Sequence, residues 1–146
     1  MTETTIDSIR QDFEFLDDWE ERYRYIIELG AALDPYPEDL RDDAHKVRGC
    51  VSQVWVAFER DEGPDPVLRL AGDSDAHIVR GLVAIVLALF SGRKASEIVD
   101  TDAEGVLQQL GLDEHLTPQR SNGLRAMVKR IRDEAKVALS QRQPAG

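Results

Sequence analysis

From Ile78 to Phe90 the chain is apolar on nearly every side, with Arg80 its one charge. Ile78, Val79, Leu82, Val83, Ile85, Val86, Leu89 and Phe90 leave no polar stripe of the kind a surface helix carries. The run is also shorter than the ~18 residues a membrane span needs. A helix over Ala76 to Ser91 must therefore lie in the middle of a folded domain, with the other elements laid around it. Ser74 or Asp75 is placed to cap it, and Gly92 to end it.

The rest of the composition agrees with such a domain. The 146 residues are 42% hydrophobic and 32% charged, an ordinary balance for a folded chain. A chain of this size buries roughly 70% of its unfolded surface, enough for one domain over residues 1–146, with a frayed tail from residue 140. One cysteine excludes an internal disulfide and a thiolate zinc cage. A net charge of −10 excludes the basic footprint that nucleic acid requires. Met1 to Asp7 lacks the basic and apolar stretches of a leader, so the cytoplasm is the expected compartment, with neither a membrane nor a nucleic-acid partner.

The charge is unevenly placed. Through Asp43 there are 14 acidic and 4 basic residues; from Ala44 onward there are 14 of each. Pro118 to Gly146 carries seven basic residues against Asp133 and Glu134. Solvated helix faces account for this in the ordinary way; the functional alternative is a face that docks a charged partner.

Hydrophobic spacing supplies the element order. Ile6, Ile9, Phe13 and Leu16 recur at helical intervals, and Asp17-Asp18 precedes a second helix with Trp19, Tyr23, Ile26, Ile27 and Gly30 on one face. Pro35 and Pro37 stop it. Val54, Val56 and Phe58 alternate as in a strand, and Asp61 to Pro66 is dense in turn formers. Val67 to Ala71 then completes a hairpin. His45 to Arg48 is the best candidate for a third strand. Ala95 to Val99 and Ala103 to Leu110 read as short helices. Thr117-Pro118 opens a long final helix with an apolar stripe at Leu124, Val128, Ile131 and Ala135 and a basic one at Arg125, Lys129, Arg132 and Lys136. Helices segregated from a small antiparallel sheet define an α+β domain.

Among side chains able to do chemistry, Cys50 stands out. Gly49 favours a tight turn before it, Arg48 favours its thiolate, and Ser52 and Gln53 are unlike a core segment. A buried, inert cysteine is the competing role. Two weaker arrangements stay open: a hydrolase pairing Cys50 with His77 and Asp73 or Asp75, and a metal site drawing on Cys50, His45 or His115. Asp73 and Asp75 have a plain role as carboxylates at a helix N-terminus. Arg120, in the first turn of the last helix, opposes the helix dipole, so a salt bridge to Asp73 or Asp75, or support of the cysteine loop, would account for it.

Four blocks resemble the SufE family: Arg48-Gly49-Cys50-Val51-Ser52-Gln53-Val54-Trp55; Gly72-Asp73-Ser74-Asp75-Ala76-His77-Ile78-Val79-Arg80-Gly81-Leu82; His115-Leu116-Thr117-Pro118-Gln119-Arg120-Ser121-Asn122-Gly123-Leu124; and the segment from Trp19 to Gly30. They occur in order over about Phe13 to Ala138. The resemblance implies an α+β fold shared with IscU-type (NifU-like) scaffolds. It implies a sulfur acceptor that takes persulfide sulfur from a pyridoxal-phosphate cysteine desulfurase of the SufS or CsdA kind. The sulfur would pass to a SufBCD-type scaffold for iron–sulfur cluster assembly, and the desulfurase would be stimulated. By position Cys50 is the acceptor, with Gly49, Asp73, Asp75 and Arg120 in supporting places. The protein would then be a relay accessory rather than an autonomous enzyme, with no cofactor of its own, and with room for a homodimer. His77 stands where a small residue is usual, Asn122 at a variable place, and the 61–66 loop is rich in proline.

Overall fold

The structure, a computed structural model, describes residues 5–49 and 52–140. Cys50, the expected acceptor, and Val51 lie outside the described residues. The order is α1 (Ile6–Phe15), α2 (Trp19–Ala31), a 3₁₀ turn (Glu38–Leu40), β1 (Val54–Arg60), β2 (Val67–Ser74), α3 (His77–Phe90), β3 (Arg93–Lys94), α4 (Ala95–Asp100), α5 (Ala103–Gln109), α6 (Leu112–His115) and α7 (Pro118–Ser140). It is an α+β arrangement around one antiparallel three-stranded sheet, β1-β2-β3.

Local chemistry starts the helices. Thr5 and Ser8 form a reciprocal capping box on α1. Asp18 accepts the Glu21 N–H at 2.8 Å at the head of α2. The apolar helix does lie at the centre: Leu82, Val83, Ile85 and Phe90 of α3 have no exposure at all. Truncating any one of them would cost about 2–5 kcal/mol. One face of α3 meets the sheet and another meets α2, where Gly30 and Gly81 let the backbones touch. A Cβ on Gly81 would sit 2.1 Å from the Ile26 carbonyl oxygen. The stripe Leu124, Val128, Ile131 and Ala135 buries α7 against the same core.

Three expectations change. The third strand is Arg93–Lys94, paired with Val67 and Leu68 of β2; His45 to Arg48 supplies only a single bridge, Lys46 opposite Trp55. Strand β2 runs on through Asp73 and Ser74, which pair with Trp55 and Val54. Asp73 is therefore a strand residue, and α3 starts from Ala76 with no side-chain cap from Ser74 or Asp75. Arg132 leaves the solvated basic stripe: it grips Glu104 at 2.7 and 2.9 Å and donates to the Thr101 carbonyl at 2.7 Å, tying α7 to α5.

Candidate functional site

The segment that carries Cys50 is anchored on both sides. Upstream, the Val47 N–H donates to the Val54 carbonyl at 2.8 Å, and the Val56 N–H donates to the His45 carbonyl at 2.9 Å. Arg130 of α7 donates to the carbonyls of Ala44 at 2.8 Å and Lys46 at 3.3 Å. Gly49 has φ +91°, a left-handed angle that favours glycine, and its Cβ position would lie 3.4 Å from the Ala126 Cβ of α7. Downstream, the Gln53 N–H donates to Asp75 at 3.0 Å, and the Gln53 carbonyl accepts from the Ser74 hydroxyl at 2.7 Å. The Asp75 N–H returns a bond to the same carbonyl at 3.3 Å. Asp75 is thus a tether for the residues just after the cysteine, and Ser74, 1% exposed, is the buried half of that tether.

Between the anchors lies a cleft of about 210 Å³. Its floor is apolar, from Ala76, Ile78, Val79 and Leu82 of the α3 segment and Gly123 and Met127 of α7. Ser52, Thr117, Gln119 and Arg120 line its polar side. Both helices begin here. The Arg120 N–H bonds the Thr117 hydroxyl at 3.3 Å, the usual capping contact, whereas the first amides of α3 have no side-chain cap. Two helix N-termini and one arginine bring positive charge to this cleft of mixed lining, a contribution that favours an anionic sulfur.

Asp73 does not meet Arg120. Its carboxylate takes the Arg41 guanidinium at 2.6 Å and lies 2.8 Å from Arg80 Nε, the latter an ionic contact off hydrogen-bond alignment. It also accepts the Ser74 N–H at 2.8 Å. Burial alone would raise its pKa, but the Arg41 hydrogen bond, the Ser74 amide and the two guanidinium charges outweigh that and hold it below the usual carboxylate range. Arg41 in turn stacks over the rings of Tyr36 and Trp55, at 5.3 and 5.2 Å. This cluster fixes the 36–41 segment to the end of the sheet that leads into Ser74 and Asp75. Arg41 and Arg130 carry no motif that marks them; only the fold brings them to the loop.

The histidines are scattered. His77 is exposed at the first position of α3 and is not among the residues lining the cleft. His45 is only partly exposed and pairs with Asp42 at 2.6 Å, a contact that holds the Asp42 carboxyl below its ordinary value. His115 stacks on the Trp19 indole at 4.0 Å, and its carbonyl accepts the Tyr23 hydroxyl. Among the described residues no three His, Cys, Asp or Glu side chains are arranged to hold a metal ion, and no helix is long and apolar enough to cross a membrane.

Both the sequence and the α+β fold have counterparts among known proteins. The family model for SufE, the Fe-S metabolism associated domain, matches residues 7–135. A SufE-like protein of Rhizobium etli is 58% identical over 134 residues, covering 91% of this chain and 90% of that one. A second, from Rhizobium meliloti, is 56% identical over 137 residues, covering 93% and 98%. The chain belongs to the SufE family, and so to iron–sulfur metabolism. The fold is also that of a hypothetical protein from Thermus thermophilus solved in solution, with a TM-score of 0.73 at 22% identity, covering 96% of this chain and 99% of that one.

Proposed function

We propose that the protein accepts sulfur on Cys50 from the persulfide of a pyridoxal-phosphate cysteine desulfurase and carries it onward for cluster assembly. One observation carries this beyond family membership. The described segments on either side of the chain's single cysteine are held, by Arg130 and Val54 upstream and by Asp75 and Ser74 downstream, and Ser52 lines a cleft with an apolar floor and Arg120 on its polar side. That is the setting a relay thiol needs: access for a partner, a potential that favours thiolate, and shelter for the loaded sulfur from stray oxidants and reductants.

The step needs no outside oxidant or reductant. The Cys50 thiolate attacks the outer sulfur of the donor persulfide. A bond forms between the Cys50 sulfur and that outer sulfur, the bond joining the two donor sulfurs breaks, and the donor cysteine departs as thiolate with the electron pair. Cys50 then bears the persulfide and can repeat the exchange on a SufBCD-type acceptor. Having one cysteine helps, because no second thiol of the same chain can expel the sulfur and close a disulfide.

Asp75 and Ser74 hold the downstream arm of the loop, Gly49 supplies the upstream turn, Asp73 braces the sheet end behind them, and Arg120 faces the cleft. The test is a desulfurase assay with the wild type and Cys50→Ser. Wild type is expected to raise turnover of L-cysteine, and the serine variant, folded to the same extent by circular dichroism, to leave it at the basal rate. Equal stimulation by both would overturn transfer to Cys50 and leave docking alone as the activating event.

A further inference from the structure

We propose that Arg130 of α7 is a positioning residue for Cys50: it fixes the arm that enters the cysteine, and so sets the rate of sulfur transfer rather than the affinity for the donor; this rests on the sulfur-acceptor function above. The arm is pinned from two sides. Toward the sheet, the Val47 N–H and the His45 carbonyl bond Val54 and Val56 of β1, and Lys46 stands opposite Trp55. Toward α7, the carbonyls of Ala44 and Lys46 have no backbone N–H donor among the described residues. They take the two terminal nitrogens of Arg130, Nη2 at 2.8 Å and Nη1 at 3.3 Å. A guanidinium suits this task because it holds its donors in one rigid plane and serves both acceptors at once. β1 is an edge of the described sheet, so a side chain does here what a further strand would do in a wider one.

Arg130 is itself held. Its guanidinium lies over the Phe58 ring of β1 at 5.8 Å, and its Nε is 3.5 Å from Glu134, one turn further along α7. The helix beneath it is anchored, since Met127, Val128 and Ile131 are buried in the core. One turn back, Ala126 meets the same arm: a Cβ on Gly49 would lie 3.4 Å from the Ala126 Cβ. Residues four apart share a helix face, so one side of α7 runs along the arm from Ala44 to Gly49. Gly123 and Met127 of that helix also line the cleft, so Arg130 registers the arm against the cleft itself. Transfer requires the thiolate to meet the outer sulfur of the donor in line with the bond that breaks, and a displacement of about 1 Å can cost on the order of 100-fold in rate. A loosened arm opens the same thiol to small reagents. The hold of Arg130 therefore acts in two opposite directions, speeding transfer and slowing indiscriminate modification.

The experiment mixes the protein, at rising concentrations, with a cysteine desulfurase preloaded with persulfide and freed of L-cysteine, and follows one turnover of sulfur transfer. Arg130→Met keeps an unbranched apolar stem over Phe58 but has no donor. It is expected to lower the limiting rate roughly tenfold, with the half-saturating concentration within about twofold of wild type. Arg130→Lys, which can serve one carbonyl at a time, is expected to recover the rate to within about threefold. Arg132→Met is the control. That arginine is two residues on, so it lies on the opposite side of α7, where it clasps Glu104. Its loss is expected to lower Tm and leave the limiting rate unchanged. In the free proteins, iodoacetamide is expected to modify Cys50 about threefold faster in Arg130→Met than in wild type. An unchanged limiting rate in Arg130→Met would overturn the proposal, whether or not the half-saturating concentration rises. So would an equal slowing by Arg132→Met. The alkylation rate separates this from the function itself. Faster alkylation of Arg130→Met, with no sulfur taken up by the wild type, would refute the acceptor function and keep the hold of Arg130 on Cys50. Uptake by the wild type, with neither rate altered in Arg130→Met, would do the reverse.

Discussion

Replacing Asp73 by alanine removes the only carboxylate that Arg41 and Arg80 share. Asp73 is 13% exposed at its side chain, and the two arginines are 26% and 35% exposed; without Asp73, Arg41 keeps Glu38 at 2.9 Å, whereas Arg80 keeps only the Ser74 carbonyl at 3.1 Å among the described residues. Three contacts vanish together: the 2.6 Å bond from Arg41, the 2.8 Å ionic contact with Arg80 and the 2.8 Å bond from the Ser74 N–H. Losing one partner of a half-buried charge cluster costs about 2–4 kcal/mol, less than a fully buried pair because solvent still reaches the arginines. For a chain of this size that is a fall of roughly 10 °C in Tm. Asp73→Asn keeps an acceptor for Arg41 and should lose about half as much. The sign with pH follows from the depressed pKa of Asp73. Its stabilisation is fully present above the unfolded value of about 4 and is lost as pH falls through the lower folded value. Urea unfolding at pH 7 and at pH 3 reads both effects, and the gap between wild type and Asp73→Asn should narrow at the lower pH. An alanine variant within about 0.5 kcal/mol of wild type at pH 7 would refute the bracing role.

Two further outcomes follow from particular contacts. Gly81→Ala places a methyl 2.1 Å from the Ile26 carbonyl oxygen, so α2 and α3 must separate. The expected net loss is about 2–3 kcal/mol in urea unfolding even after the ~1 kcal/mol that alanine gains in helix propensity, and a more stable variant would contradict the close helix contact. Asp75→Ala removes the acceptor for the Gln53 N–H, a loss of about 1 kcal/mol from the hold on the segment after Cys50, and should speed thiol modification of Cys50 about fivefold with little change in Tm. An unchanged modification rate would mean that the tether does not control access to the cysteine.

What could be read from the sequence depended on whether a signal was local. The central place of α3 was legible because nine large apolar residues in the thirteen from Ile78 to Phe90 leave a helix no exposed side. Thr117-Pro118 marked the start of α7, and alternation marked β1. The two-residue β3 carried no period at all; it exists because Gly92, at φ +80°, turns the chain so that Arg93 and Lys94 lie along β2. His45 to Arg48 was the expected third strand but pairs at only one bridge, Lys46 opposite Trp55. Gly72-Asp73-Ser74-Asp75 looks like a helix-capping stretch, yet Val54 and Trp55 draw Asp73 and Ser74 into the sheet, which frees the Asp73 carboxylate for Arg41, thirty-two residues upstream. No spacing rule announces that pair, nor the hold of Arg130 on the carbonyls of Ala44 and Lys46. At the site, Cys50, Gly49 and Arg120 stood out from residue type and position. The tether formed by Ser74 and Asp75 had to be seen in place.

Transfer of sulfur to Cys50 is read by intact-protein mass spectrometry after incubation with a cysteine desulfurase and L-cysteine, without reductant. A mass gain of one sulfur atom that maps to Cys50 and is reversed by a thiol reductant is the expected result. A protein that stays unmodified while a control carrier loads from the same enzyme would contradict it.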